Sequence, residues 1–172
     1  MALVKGPFTV KWGEDDDATI VDVSEITFNY EVATNDYQTV DGRTYQVEGA
    51  ITASVEITVL KNDVEALKAL LPQYYVAPNA PLSTGEIAGA DGAIDIVAAS
   101  CDSDATRRNL EISSCGADGE TTRLVNARPT LSSQEFADNA VRTVTITFIG
   151  EPDQNQGIVQ FFKNGSLTPV ES

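Results

Sequence analysis

The chain contains no histidine. The commonest general base, the usual activator of serine and cysteine nucleophiles and the commonest metal ligand are therefore all missing, which weakens any case for catalysis. Cysteine is nearly absent too: Cys101 and Cys115 bracket the polar stretch "CDSDATRRNLEISSC". Without histidine these two cannot supply the four ligands of a zinc site. Free thiols are the plain reading, and a disulfide clipping a surface loop is the alternative. Bases are scarce, 11 against 26 acids, for a net charge of −15 and a pI near 4.1. That balance argues against nucleic-acid binding by phosphate neutralisation. An acidic surface can serve solubility alone, or it can repel a polyanion that must pass without sticking. No apolar run approaches the roughly 20 residues that cross a bilayer, so no membrane span is expected. The start, "MALVKGPFTV", with one lysine and an early proline, does not read as a secretory signal, and synthesis in a cytoplasm is expected.

What remains is 172 residues, 42% of them apolar. That suffices for one domain over 1–172 whose core needs no metal or disulfide. The dominant pattern is alternation. Ile26, Phe28, Tyr30 and Val32 share one side of a strand, with Glu25, Thr27, Asn29 and Glu31 on the other. The segment "ATNDYQTVDGR" follows and reads as a turn-rich protruding loop over 33–44, with Asp41-Gly42 its strongest turn signal. Next, Tyr45, Val47, Gly49, Ile51, Ala53, Val55, Ile57 and Val59 keep one parity without a break. At ~3.3 Å per residue that run spans about 50 Å. Either it bends, with Gly49 the candidate, or one end leaves the domain to meet a neighbour. Its other parity carries Thr52, Ser54, Glu56 and Thr58.

A short helix is expected over about 62–72. Asn62 is the candidate cap, Glu65 completes a capping-box pattern, and Val64, Leu67, Leu70 and Leu71 form the core-facing stripe before Pro72 ends it. The Pro- and Gly-rich segment 77–92 reads as a loop, "AIDIVAAS" (93–100) as a strand, and 122–133 as a strand made edge-like or bent by Pro129. "SSQEFADNAV" is a candidate turn of helix. In "VRTVTITFIG" Val144, Ile146 and Phe148 oppose Thr143, Thr145 and Thr147. The C-terminal extension 151–172 holds one apolar strip, Ile158 to Phe162, expected to add a strand or to pack on a neighbouring subunit through residues such as Phe161 and Phe162.

Sites of chemistry do not emerge. The acids of "GEDDDA" (13–18) read as a solvated charge run rather than a cation site. "CDSDATRRNLE" opens like a calcium loop with Asp102 and Asp104, then offers Thr106 and Arg107 where an acid and a glycine belong. No phosphate-cradling loop, dinucleotide fingerprint or nucleophile elbow is present. Arg107-Arg108, the one basic doublet, reads as a contact with a neighbouring subunit. No catalytic residue, metal or cofactor is expected.

Three strands thus pair an apolar face with a lysine-free face of Thr, Ser, Asn and Glu, which fits a solvated sheet surface or the wall of a water-filled channel. In its order of parts the chain resembles the tail tube (major tail) proteins of tailed bacteriophages. The matching parts are the acidic entry to "DVSEITFNYEV", the turn-rich loop, the long strand "RTYQVEGAITASVEITVLKND", the helix "VEALKALLP" directly after it, and "VRTVTITFIGEPD". The resemblance implies a mainly β fold, a β-sandwich or partial barrel with one flanking helix. It also implies rings, usually hexameric, stacked as a tube with an electronegative lumen through which DNA slides during ejection. Glu25, Thr27, Asn29, Thr52, Ser54, Glu56, Thr58, Thr143, Thr145 and Thr147 would then face the lumen. Loop 33–44, with Asp36, Tyr37, Asp41 and Arg43, would reach the next ring. Partners would be further copies of the chain, tape-measure, tail-terminator and baseplate or tail-tip proteins, and a sheath in a contractile tail. The location would be the virion tail after synthesis in a bacterial host. The competing reading is a β-sandwich ligand- or carbohydrate-binding or adhesion module, for which Trp12, Tyr74 and Tyr75 are the candidate aromatics. An enzyme, requiring a pocketed carboxylate cluster, stands third.

Overall fold

Alternating sequence produces strands almost throughout. The computed structural model describes residues 6–13, 19–20, 22–60, 62–97, 106–138 and 140–168. Eight strands form one antiparallel sheet: β1 (Phe8–Trp12), β2 (Thr19–Ile20), β3 (Val23–Gln38), β4 (Thr44–Val59), β7 (Arg108–Ser114), β8 (Glu120–Glu135), β9 (Thr143–Gly150) and β10 (Val159–Lys163). Their order is β2-β1-β7-β8-β9-β4-β3, with β10 continuing the β9 edge of β8. β5 (Tyr75–Val76) and β6 (Ala93–Ile94) pair separately. The sheet curls round its apolar face: Val10 and Trp12 from one end and Val55, Ile57 and Val59 from the other belong to one buried cluster. Trp12 of β1 meets Phe148 of β9 edge to face, with ring centroids 5.8 Å apart. The fold is mainly β and sandwich-like, with one short helix, as the alternation implies.

That helix, α1 (Val64–Leu70), places Leu67 and Leu70 in the core, and Leu71 follows them there. Its cap is Asp63, whose Oδ1 accepts from the Ala66 backbone N–H at 2.9 Å, and not Asn62. Asn62 is engaged elsewhere. Buried, it accepts from Arg142 Nε at 2.6 Å and donates to the Arg142 carbonyl at 2.6 Å, tying the end of β4 to the start of β9. Moving the cap one residue on leaves Glu65 in the first turn but one position short of a capping box. Asp63→Ala should therefore cost about 1 kcal/mol in a denaturant titration and Asp63→Asn only a few tenths. A neutral Asp63→Ala would mean the helix is held by packing alone.

The long run of constant parity is one strand. β4 runs on through Gly49 but is bulged there: between Val32↔Ile51 and Thr34↔Glu48 its Gly49 and Ala50 together oppose the single Ala33 of β3, so the extra residue sits at the position singled out for a bend. A Cβ on Gly49 would lie 3.1 Å from the Ala33 carbonyl oxygen, so glycine lets the two backbones close at that bulge. The expected loop over 33–44 is mostly ladder. β3 runs to Gln38, and only Thr39–Arg43 turn, closed by Thr39 N–H to Arg43 O at 2.8 Å with Gly42 at φ +82°. Asn, Asp and Gln are tolerated there because β4 supplies their backbone partners while their side chains remain in water.

Two further expectations need correction. Of the strand expected over 93–100, the described residues keep only Ala93–Ile94, and 98–100 lie outside them; Asp95 turns its carboxylate onto Ser83, accepting from its backbone N–H at 2.7 Å and its hydroxyl at 3.0 Å. Those bonds hold the Asp95 carboxyl below its ordinary pKa. The turn of helix in "SSQEFADNAV" is absent among the described residues, because β8 extends to Glu135. Pro129 lies inside β8, beyond Arg108↔Ala127, where β7 has ended and the proline's missing N–H has no partner to lose. The acids at 14–18, Cys101, Asp102 and Asp104 lie outside the described residues.

Candidate functional site: a base-free polar face and a projecting arm

Antiparallel register brings every predicted polar-face residue onto one surface. Across β3, β4, β9 and β8 the side chains form rows: Glu25–Thr58–Thr145–Ser133, then Thr27–Glu56–Thr147–Thr130, then Asn29–Ser54–Ile149–Arg128. Thr143 sits opposite Glu135, and Thr52 opposite Glu31. The alternate residues of β4 and β9, Ala53 to Val59 and Val144 to Phe148, are buried, so this surface is the one turned away from the core. Thr58 and Thr145 hydroxyls share a hydrogen bond of 3.1 Å, and the Thr130 hydroxyl donates to the Thr147 carbonyl at 3.1 Å. Such hydroxyl ladders satisfy one another and need no charge. β3, β4 and β9 contain no lysine or arginine at all. Glu25, Glu56 and Glu135 gather about a shallow cleft with Thr27, Thr58, Ser133, Thr143 and Thr145. Ser133 and Glu135 were not legible as members, because a register shift between Leu131 and Ser133 breaks the parity of β8.

Bases enter the sheet mainly on β1, β7, β8 and β10, and Arg128 of β8 borders the polar face at the end of its third row. Arg123 reaches Glu111 at 2.7 Å, and Glu151 is shared by Arg107 at 2.6 Å and Arg128 at 3.0 Å. Arg108 covers the Trp12 ring. Both residues of the basic doublet thus have partners within the chain. Phe162 lies under the Arg123 guanidinium at 4.7 Å, whereas Phe161 is largely exposed. β10 therefore takes the first of the two roles expected of it, adding a strand against β8.

Beyond the core, β3 and β4 continue alone as a two-stranded arm. β9 pairs β4 only from Ser54 to Val59, so among the described residues both edges of the arm are free of strand partners. The core parity runs on with nothing over it through Tyr30, Val32 and Ile51, each about half exposed, but beyond the register shift that face carries Thr34↔Glu48 and Asp36↔Gln46. Tyr30 stacks on Phe28 with centroids 4.7 Å apart, and burial pushes its phenol pKa up. The opposite face carries Glu31 and Thr52, then Asn35↔Val47 and the half-exposed pair Tyr37↔Tyr45, so the polar stripe gives way to apolar and aromatic side chains toward the tip. At the tip Asp41 pairs with Arg43 at 3.5 Å, an exposed contact worth little. Isolated two-stranded ribbons are marginal in water, and an arm of this kind gains most from a partner. Trp12, the leading aromatic for a ligand site, is fully buried with its Nε1 donating to Ala127 O.

No protein-family model matches the chain, and no curated protein matches it. Solved structures do. A chain of the anti-feeding prophage cap (AFP tube terminating cap) is 15% identical with a TM-score of 0.53, covering 95% of each chain. The sheath/tube terminator of PVC, an extracellular contractile injection system in its extended state, is 15% identical at a TM-score of 0.52, over 93% of this chain and 99% of that one. A chain from the tail of an empty GTA particle, refined with C6 symmetry, is 10% identical at 0.51, over 90% and 95%. The likeness spans nearly the whole of each chain and shows a shared mainly β fold, remotely similar to tube- and sheath-associated proteins of injection systems and tails.

Proposed function

We propose that this chain is a structural subunit, without catalysis, that associates with further copies into rings stacked as the tail tube of a phage-like particle. The observation that carries the reading is the polar face that β3, β4 and β9 lay side by side from Thr58 to Thr52 without a lysine or arginine among those strands. Turned inward, such a face conducts DNA by declining to bind it: without cations there is no counterion release and little friction. The uncovered arm and its free edges supply contacts to the next subunit, and Asp36, Tyr37, Asp41 and Arg43 at its end are placed to reach an adjacent ring. A six-fold ring is the natural count, since a similar chain comes from a tail refined with C6 symmetry. Tape-measure, terminator and baseplate proteins, with a sheath if the tail contracts, would be its neighbours in the virion.

A second reading has its own support. Two of the similar chains come from a tube terminating cap and a sheath/tube terminator, so this chain could equally close a tube as a single ring. Negative-stain microscopy of the concentrated protein decides among the outcomes. Stacked rings with a central channel are expected, isolated rings support the terminator, and monomers at every concentration and salt would refute both. In assembled material, Glu25→Lys with Glu56→Lys should leave rings intact and make the channel retain DNA. Unfolding of that double variant would show that the two side chains do not face water.

A further inference from the structure

Asn164-Gly165 is the chain's one Asn-Gly pair. Asparagine before glycine is the chemically weakest peptide pairing, since glycine leaves its own amide nitrogen unhindered. Gly165 stands at φ +73° with open space where a side chain would be. Asn164 itself is the pin that holds β10 to the β7–β8 turn. Its Nδ2 donates to the carbonyls of Ser114 at 2.8 Å and Gly116 at 2.9 Å. Its Oδ1 accepts from the buried Thr121 hydroxyl at 2.6 Å, and its backbone N–H donates to Gly119 O at 2.9 Å. A Cβ on Gly119 would come within 2.5 Å of Nδ2, so the turn is shaped to admit this amide. Both amide hydrogens and the amide oxygen are occupied, and the group cannot rotate toward Gly165 while β10 stays docked.

We infer that Asn164 is a self-modification site gated by the docking of β10, which turns reversible release of that strand into permanent release. When the strand lifts, the Gly165 amide nitrogen attacks Asn164 Cγ. The C–Nδ2 bond breaks, the Gly165 proton leaves with the side-chain nitrogen as ammonia, and a succinimide ring closes. Water opens the ring at either carbonyl, leaving aspartate or isoaspartate. A carboxylate is an acceptor only, so it faces the Ser114 and Gly116 carbonyls with no hydrogen to give. Burying it against them costs more than leaving the strand undocked. Lost with the strand is the cover that Val159 gives Leu124.

The test uses the full chain in mildly alkaline buffer, with peptide mass mapping of residue 164 over days. Conversion should be slower in the folded protein than in denaturant by about tenfold or more, because it waits on local opening. Thr121→Val, which removes the bond to Oδ1, should speed it in the folded state. In aged wild-type protein, the converted fraction should exchange the β10 backbone hydrogens freely while the unconverted fraction protects them. Equal rates in folded and denatured chain would overturn the gating. Full β10 protection in the converted fraction would overturn the release.

Discussion

Tyr37→Lys combined with Tyr45→Glu is expected to leave the subunit folded and to abolish its assembly. The two tyrosines face each other across the arm, more than half exposed, and contribute nothing to the core. Opposite charges keep the cross-strand pair attractive, so stability should change by less than about 1 kcal/mol. Assembly is different. Each large apolar side chain withdrawn from a contact forfeits roughly 1.5–3 kcal/mol, and desolvating the new charges adds to it. A loss of ~3 kcal/mol per contact weakens association by about a hundredfold, repeated at every subunit of a ring. Sedimentation over a concentration series, beside a thermal melt, separates the two effects. Association at unchanged concentration would place the tyrosine pair away from any interface.

Trp12→Ala should do the reverse and cripple the fold itself. Trp12 is 1% exposed, meets Phe148 edge to face and donates to Ala127 O at 3.1 Å. Truncation in such a setting costs about 3–5 kcal/mol. The orphaned Ala127 carbonyl adds ~1–3 more, against a total stability of roughly 5–15 kcal/mol for a domain. Trp12→Phe keeps the ring contact and loses mainly the hydrogen bond, at about 1 kcal/mol. Denaturant midpoints at unchanged slope are the measure. An alanine variant within ~1 kcal/mol of the parent would contradict a core built round the meeting of β1 and β9.

The alternation of β3, β4 and β9 was legible because it is local: a period of two needs no knowledge of what lies opposite. Their polar parity was legible for the same reason, and the register merely laid the three stripes side by side. What sequence could not supply were contacts made at a distance. Asn62 and Asp63 are both good cap residues, and only Arg142, far along the chain, decides between them by engaging Asn62. The segment after Val32 is rich in turn formers, yet it is held extended by hydrogen bonds from β4 that no local preference encodes. The bulge at Gly49 of β4 and the register shift after Leu131 of β8 each move a stripe of side chains to the other face, which parity counting cannot foresee. The exposure of the arm was half visible: its length required either a bend at Gly49 or an end leaving the domain, but did not show that both edges would stand open.

Pro129 bears on the direction in which such a sheet can grow. Past the end of β7, residues Pro129 to Glu135 of β8 present a strand edge with nothing paired along it. At the head of that edge the proline offers no N–H, and the Gln73 side chain already occupies its carbonyl at 3.1 Å. β3, at the far margin, has neither proline nor lysine along its whole edge. A strand arriving from another molecule is therefore stoppered at the head of the β8 edge, while β3 and the open β4 edge of the arm carry no such stop. A building block that admits strands at the arm and refuses them beside its core gathers its fellows at one end, which is the difference between a sheet that aggregates and one that closes.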